Sequence, residues 1–122
     1  MFAYLITLVI ILVISLTFIL SFIYYMQQSE RLIKKHIASA PVALFVKSGC
    51  PYCERAEKLL SNMGANFKSI DIRNNKDVCD KLKSMTKHNT VPNIFVNGNH
   101  IGGYDDIESL EYDGTLKMEL GI

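Results

Sequence analysis

With 122 residues the chain has room for one domain, and that domain is smaller still because its first stretch is too apolar for a water-soluble core. Its 13 basic residues are interspersed with 12 acidic ones rather than forming a patch, and a net charge of +1 gives no nucleic-acid signal, so no nucleic-acid partner is expected. From Ala40 to Ile122 the chain holds neither a repeat nor a low-complexity tract.

From Met1 to Met26 no side chain carries a charge, and the apolar run from Leu5 continues through Leu16, Phe18, Ile19, Leu20, Phe22 and Ile23. About 20 such residues at about 1.5 Å each cross a hydrocarbon core of about 30 Å. Tyr4 at one end and Tyr24-Tyr25 at the other suit the two interfaces, where a ring is apolar on its body and wet at its hydroxyl. A cleaved signal peptide competes with this reading, but it needs a basic leader and a shorter apolar stretch, and nothing basic precedes this run. Ala38-Ser39-Ala40 looks like a small-residue cleavage site, yet it lies far beyond the run and Pro41 follows it. The sequence therefore predicts a single-pass anchor over 1–26 and a helical juxtamembrane stalk over 27–39. Arg31, Lys34 and Lys35 follow the span and only the α-amino group precedes it, so the C-terminal side is expected in the cytosol. The same cluster suits stop-transfer and anionic headgroups. The absence of an Asn-x-Ser/Thr sequon is compatible with that side.

The region 40–122 reads as one domain. Val42-Ala43-Leu44-Phe45-Val46 is a continuous apolar run suited to a strand covered on both faces. After Cys50-Pro51-Tyr52-Cys53, Ala56, Leu59, Leu60 and Met63 recur at helical spacing until Gly64 stops the helix. Phe67 to Ile72 gives a second strand; Asn74 or Asn75 caps a second helix lined by Val78, Leu82 and Met85. Ile94-Phe95-Val96, Asn97-Gly98 and His100-Ile101 form a hairpin pattern, because Asn-Gly favours the turn that matches strand twist. Gly102-Gly103 ends it, and Asp105 to Tyr112 and Leu116 to Leu120 complete the order βαβαββα with terminal helices.

Cys50 to Cys53 stand where strand gives way to helix. Two thiols on a first helical turn can close to a disulfide and reopen, and the helix N-terminus favours the thiolate that reacts. Pro51 suits the first helical position, and the N–H groups of Tyr52 and Cys53 are expected to point back at the Cys50 sulfur. Lys47 lies three residues upstream. Cys50 is thus the expected nucleophile, with Cys53 one turn deeper and fit to resolve. A zinc knuckle needs four ligands, and Cys79, His88 and His100 are singletons without ligand spacing, so no metal is expected. A structural disulfide is disfavoured by the cytosolic side and the tightness of the loop.

On Lys47-Ser48-Gly49-Cys50-Pro51-Tyr52-Cys53, Thr90-Val91-Pro92 and Gly102-Gly103-Tyr104-Asp105-Asp106, in that order, the segment from Ala40 to Ile122 resembles a dithiol glutaredoxin. Thioredoxins proper usually carry Trp-Cys-Gly-Pro-Cys, and this chain has no Trp. The resemblance implies an α/β, thioredoxin-like fold, a four-stranded mixed sheet flanked by helices, here preceded by one transmembrane helix. It implies glutathione as co-substrate, and glutathionylated or disulfide-containing proteins as partners. It also implies a cis Pro92 that leaves the Val91 backbone free to pair with glutathione; without it, a trans Pro at a strand edge is the ordinary reading. Glutathione's γ-glutamyl end would then meet Gly103, the Asp105 backbone and the Asp106 carboxylate, although either Asp could instead merely cap a helix. Tyr52 and Thr90 would line the groove, with Lys47 and also Lys87 attracting the glycyl carboxylate.

Cys79 departs from the family pattern, standing where glutaredoxins often place Gln, Lys or Arg, and reads as an inert helix thiol. The expected activity is glutathione-dependent reduction of protein–glutathione mixed disulfides and protein disulfides. The alternative is a glutathione-ligated iron–sulfur cluster carrier, against which Pro51 and the second cysteine argue.

Overall fold

A computed structural model describes every residue from Met1 to Ile122. Helix α1 runs from Phe2 to Ala38, 37 residues with neither Pro nor Gly to break it. An 18-residue window of it has a mean hydropathy of 3.0 with none of it buried, so α1 is long and apolar enough to cross a membrane by length and composition. Three of its hydroxyls turn back on the helix: Thr7 Oγ1 donates to Tyr4 O at 2.7 Å, Ser15 Oγ to Ile11 O at 2.9 Å and Thr17 Oγ1 to Ile14 O at 2.8 Å. These three hydroxyl hydrogens are thereby satisfied without water, which suits an apolar surrounding.

The remaining elements are β1 (Val42–Val46), α2 (Pro51–Asn62), β2 (Phe67–Asp71), α3 (Lys76–Thr86), β3 (Asn93–Val96), β4 (Asn99–Gly102), α4 (Tyr104–Tyr112) and α5 (Thr115–Leu120). The strands form one mixed sheet in the order β2-β1-β3-β4, with β1 parallel to β2 and antiparallel to β3, and β3 antiparallel to β4. Asn97 (φ 48°) and Gly98 (φ 83°) are both left-handed, the pair of conformations a type I′ hairpin requires. A bulge between Ile94 and Phe95 in the β3–β4 pairing follows.

Central β1 is buried along its whole length, and its alternation feeds two cores. Val42, Leu44 and Val46 pack with Cys53, Ala56 and Leu60 of α2, Ile107 of α4 and Leu116 of α5. Ala43 and Phe45 face Phe95, Ile72, and Val78 and Leu82 of α3. Asn75 caps α3, its Oδ1 accepting the Val78 N–H at 3.2 Å.

The second core has an unexpected member. Segment 27–39, expected as a stalk, forms the last turns of α1 and lies on the domain, with Ile33 fully buried, Ser29 nearly so and Ile37 packed beside them. The physical reason is a stripe: Ser29, Ile33 and Ile37 recur every four residues, so one face of the helix meets α3 and the sheet. Glu30 spans the contact, 3.0 Å from Lys34 on its own helix and 3.5 Å from Lys81 on α3. His36 sets its ring edge-on to Phe45 at 6.4 Å, and burial holds its imidazole below the usual pKa.

Because β1 and β2 are parallel, their C-terminal ends share one edge of the sheet. Ile72 N–H donates to Val46 O at 2.9 Å and Ser48 Oγ donates to Asp71 Oδ2 at 2.5 Å, fastening together the loops that leave that edge. Cys50 stands on it.

Candidate active site

Cys50 is the N-cap of α2, extended at φ −91°, ψ 113°, with Pro51 at the first helical position. Its Sγ accepts the Cys53 N–H at 3.2 Å. Of the two N–H groups expected at this sulfur, only that of Cys53, the third helical residue, arrives. Cys50 Sγ lies 3.7 Å from the Val91 carbonyl, as donor to it. Cys50, Cys53 and Cys79 are all free thiols. Cys53 is buried in the first core, and burial, ahead of its contact with Cys50, pushes its thiol up to about 12; a backbone hydrogen bond with Lys47 opposes this.

The Val91–Pro92 bond is cis. It stands at the junction of two hollows beside Cys50. One, of about 300 Å³, is lined by Tyr52, His88, Thr90, Val91, Pro92, Gly103, Tyr104, Asp105 and Asp106. The other, of about 180 Å³, shares His88, Thr90 and Val91 and adds Lys47, Cys79, Lys83, Asn89 and Asn93. The fold thus gathers the residues expected at a groove from four separate stretches of chain. Lys87 is the exception: it is the left-handed cap of α3 at φ 59° and lines neither hollow, whereas Lys83, one turn earlier, does. Tyr52 keeps about half its surface exposed, under the Arg55 guanidinium at 5.1 Å and beside Tyr104 at 6.0 Å.

Asp106 does what the simpler of its two readings requires: its Oδ2 accepts the Gly103 N–H at 2.8 Å and caps α4. This fixes Gly102 as well, because at φ +127° a Cβ there would lie 2.2 Å from that oxygen. Asp106 also lines the larger hollow, together with the first turn of α4, whose N–H groups have no partner within the helix.

Residues that local spacing did not single out support the loop. His88 and His100, twelve positions apart, meet with ring centroids at 5.9 Å, so they are not isolated as expected. His100 Nε2 donates to Asn93 Oδ1 at 2.7 Å, and Asn93 Nδ2 donates to Thr86 Oγ1 at 3.1 Å. Thr86 Oγ1 also accepts the His88 N–H at 3.2 Å and donates to Leu82 O at 2.8 Å. His88 Nε2 lies 3.1 Å from Thr90 Oγ1. Burial, then the neighbouring His88, hold His100 below its ordinary pKa, against the pull of Asp106. This network, built around the buried Asn93, ties the end of α3, the segment before Pro92, and β3 to one another, and only the hairpin could bring its members together.

A four-stranded mixed sheet with helices on both faces and two thiols at the start of its first covering helix defines a thioredoxin-like protein. The chain belongs to the glutaredoxin family. The family model described as Glutaredoxin matches residues 42–101. Glutaredoxin-C6 of Oryza sativa subsp. japonica is 44% identical over 86 residues, 68% of this chain and 77% of the relative. Glutaredoxin 3 of Escherichia coli K12 is 39% identical over 77 residues, 63% of this chain and 93% of the relative. Among solved structures, that of a buckwheat glutaredoxin–glutathione complex superposes with a TM-score of 0.76 at 31% identity, over 80% of this chain and 92% of that one.

Proposed function

We propose that the chain is a membrane-anchored, glutathione-dependent thiol–disulfide oxidoreductase that reduces protein–glutathione mixed disulfides and protein disulfides, with its domain in the cytosol. The observation that carries this is the position of the Cys50 sulfur, held by the Cys53 N–H at 3.2 Å on the N-terminus of α2 and 3.7 Å from Val91 O, beside a groove. Glutathione has two carboxylates, one ammonium and one thiol. The groove offers a match for each: Asp106 for the ammonium, the start of α4 for the adjacent carboxylate, Lys47 and Lys83 for the glycyl carboxylate, and Cys50 for the sulfur. That a buckwheat glutaredoxin forms a complex with glutathione supports the choice.

In the proposed reaction the Cys50 thiolate attacks the glutathione sulfur of a mixed disulfide. The protein's sulfur leaves as a thiolate and takes up a proton, and Cys50 is left disulfide-bonded to glutathione. A second glutathione thiolate then attacks that glutathione sulfur, releasing glutathione disulfide and restoring the Cys50 thiolate. As Cys50 ionises it loses the hydrogen it gives to Val91 O, and that carbonyl becomes available to the bound peptide. With a protein disulfide, Cys50 instead bonds to one protein sulfur, and Cys53 displaces it by attacking Cys50 Sγ. The resulting Cys50–Cys53 disulfide is reduced by two glutathiones.

The test is release of a fluorescent peptide from its glutathione adduct by the detergent-solubilised full chain, with glutathione as sole reductant. Turnover that Cys50→Ser abolishes is expected. No turnover, or turnover indifferent to Cys50→Ser, would overturn the proposal.

A further inference from the structure

Helix α1 enters the domain from the end that carries Cys50. Glu30 meets Lys81 at 3.5 Å, and further along both helices Lys34 and Ile37 share a hollow with Met85, so α1 and α3 run side by side in one direction. Where they begin together, a second hollow is lined by Tyr25, Gln28 and Ser29 of α1 and by Asn75, Asp77 and Val78 at the start of α3. That start follows directly on the C-terminal end of β2, which is parallel to β1. The edge of the sheet that holds Cys50 is therefore the edge from which α1 arrives. Ser39, Pro41, Met85, Asn97 and Gly98 gather at the opposite end.

The separation is short. Ser29 is the first residue of α1 buried against the domain, and Tyr25, the last of the apolar run, precedes it by four residues, roughly 6 Å of helix. The headgroup layer is about as thick, so this edge abuts it. Arg73, whose Nη1 lies 3.5 Å from Ser48 O, and Lys76 are exposed on the same edge outside any ion pair, and Arg31 and Lys35 line the hollow beside them. Cations there suit anionic headgroups, while Asp71 on that edge is occupied by Ser48 and the Arg73 N–H.

Resting on the reading of α1 as a membrane span, we propose that the active-site edge faces the bilayer and that the substrates are glutathionylated cysteines in the juxtamembrane segments of membrane proteins. A cysteine within the headgroup layer stands level with Cys50, whereas one carried far above the membrane on a neighbouring protein meets the opposite end of the domain. The chemistry is unchanged: Cys50 takes the glutathione and the juxtamembrane cysteine leaves as a thiol.

The experiment places the full chain in phosphatidylcholine vesicles containing phosphatidylserine. A nitroxide is attached either at Cys50, in Cys53→Ser/Cys79→Ser, or at the far end, in Ser39→Cys/Cys50→Ser/Cys53→Ser/Cys79→Ser. A lipid with a paramagnetic chelate on its headgroup should relax the label at Cys50 several-fold more than that at Ser39, since the two ends are roughly 15 Å apart along the helix. Equal or reversed relaxation, with the protein still in the membrane pellet after alkaline carbonate, would overturn the orientation and leave the anchor standing. Protein in the carbonate supernatant would instead overturn the anchor itself. With glutathionylated peptides coupled to lipid, a two-residue tether should give faster turnover than a long flexible one. A flexible Gly/Ser insertion between Met26 and Gln27 should narrow that preference. Faster turnover on the long tether by the unmodified chain would overturn the substrate class.

Discussion

In the proposed reaction, burial of Cys53 separates two half-reactions that share Cys50 as nucleophile. Its thiol, pushed up to about 12, stays protonated near neutrality and is a spectator while Cys50 exchanges glutathione. Cys53→Ser should therefore keep most deglutathionylating turnover, while reduction of a protein disulfide, which needs Cys53 to attack, should be lost. Once Cys50 is in a mixed disulfide its own contribution to the raised value falls away, but burial, the larger cause, remains. The competent form of Cys53 is the thiolate, so the resolving step should accelerate with rising pH from 7 to 9, by up to tenfold per unit. Stopped-flow decay of a trapped protein–Cys50 disulfide measures this; a flat profile would mean that Cys53 is deprotonated in the intermediate. Asp106 can be divided in the same manner. Asp106→Asn keeps an oxygen for the Gly103 N–H and removes the charge, so glutathione affinity should fall by about 1.5 to 3 kcal/mol with little change in thermal stability. Asp106→Ala should lose the cap as well, at a further cost to folding of about 1 kcal/mol. Calorimetric titration and melting curves check both, and unchanged affinity in the Asn variant would leave Asp106 as a cap alone. Cys50, Pro51 and Cys53 could be placed from the sequence because a helix start is local. Lys83 and the His88–His100 pair could not, since their meeting depends on how α3 and the hairpin dock.

Among the elements, α1 contributes to the domain as well as preceding it. Ile33 is fully buried in the second core, so Ile33→Ala should destabilise the domain by about 2 to 5 kcal/mol, measurable by urea denaturation of residues 27–122. A fragment beginning at Ala40 should be less stable than one beginning at Gln27, because Phe45 and Val78 would lose their cover. Equal midpoints and slopes for the two fragments would count against that contact. The stripe of Ser29, Ile33 and Ile37 was present in the sequence, but the many charges between its members make the segment look solvated. Only the docking of α3 shows that one face is dry. The strands were easier to place: the apolar run of β1 demands cover on both faces, and Asn97-Gly98 admits few other turns.

For the whole molecule, the proposed topology rests on the basic residues after the apolar run, against none before it, and predicts Cys50 on the cytosolic side. A membrane-impermeant maleimide added to sealed, right-side-out vesicles should not label Cys50 until the bilayer is opened. Labelling of intact vesicles would place the domain outside. The insertion of β3 between β1 and β4 was not set by any local pattern. It follows from pairing across the sheet, where Val42 faces Val96 and Leu44 faces Ile94.

A helix without Pro or Gly from Phe2 to Ala38, fixed to the domain by Ile33, behaves as a stiff lever. As the proposed span, its apolar stretch from Phe2 to Tyr25 measures roughly 36 Å, more than the roughly 30 Å of an average hydrocarbon core, and the excess is taken up by tilt. Tilt tips the domain with the helix, lowering one rim of its active-site edge toward the lipid and lifting the other. In a thicker, sterol-rich bilayer of about 32 to 33 Å the lever stands more upright and the edge comes closer to level. Bilayer thickness thereby becomes a variable that sets which cysteines come within reach, with no change in the domain itself.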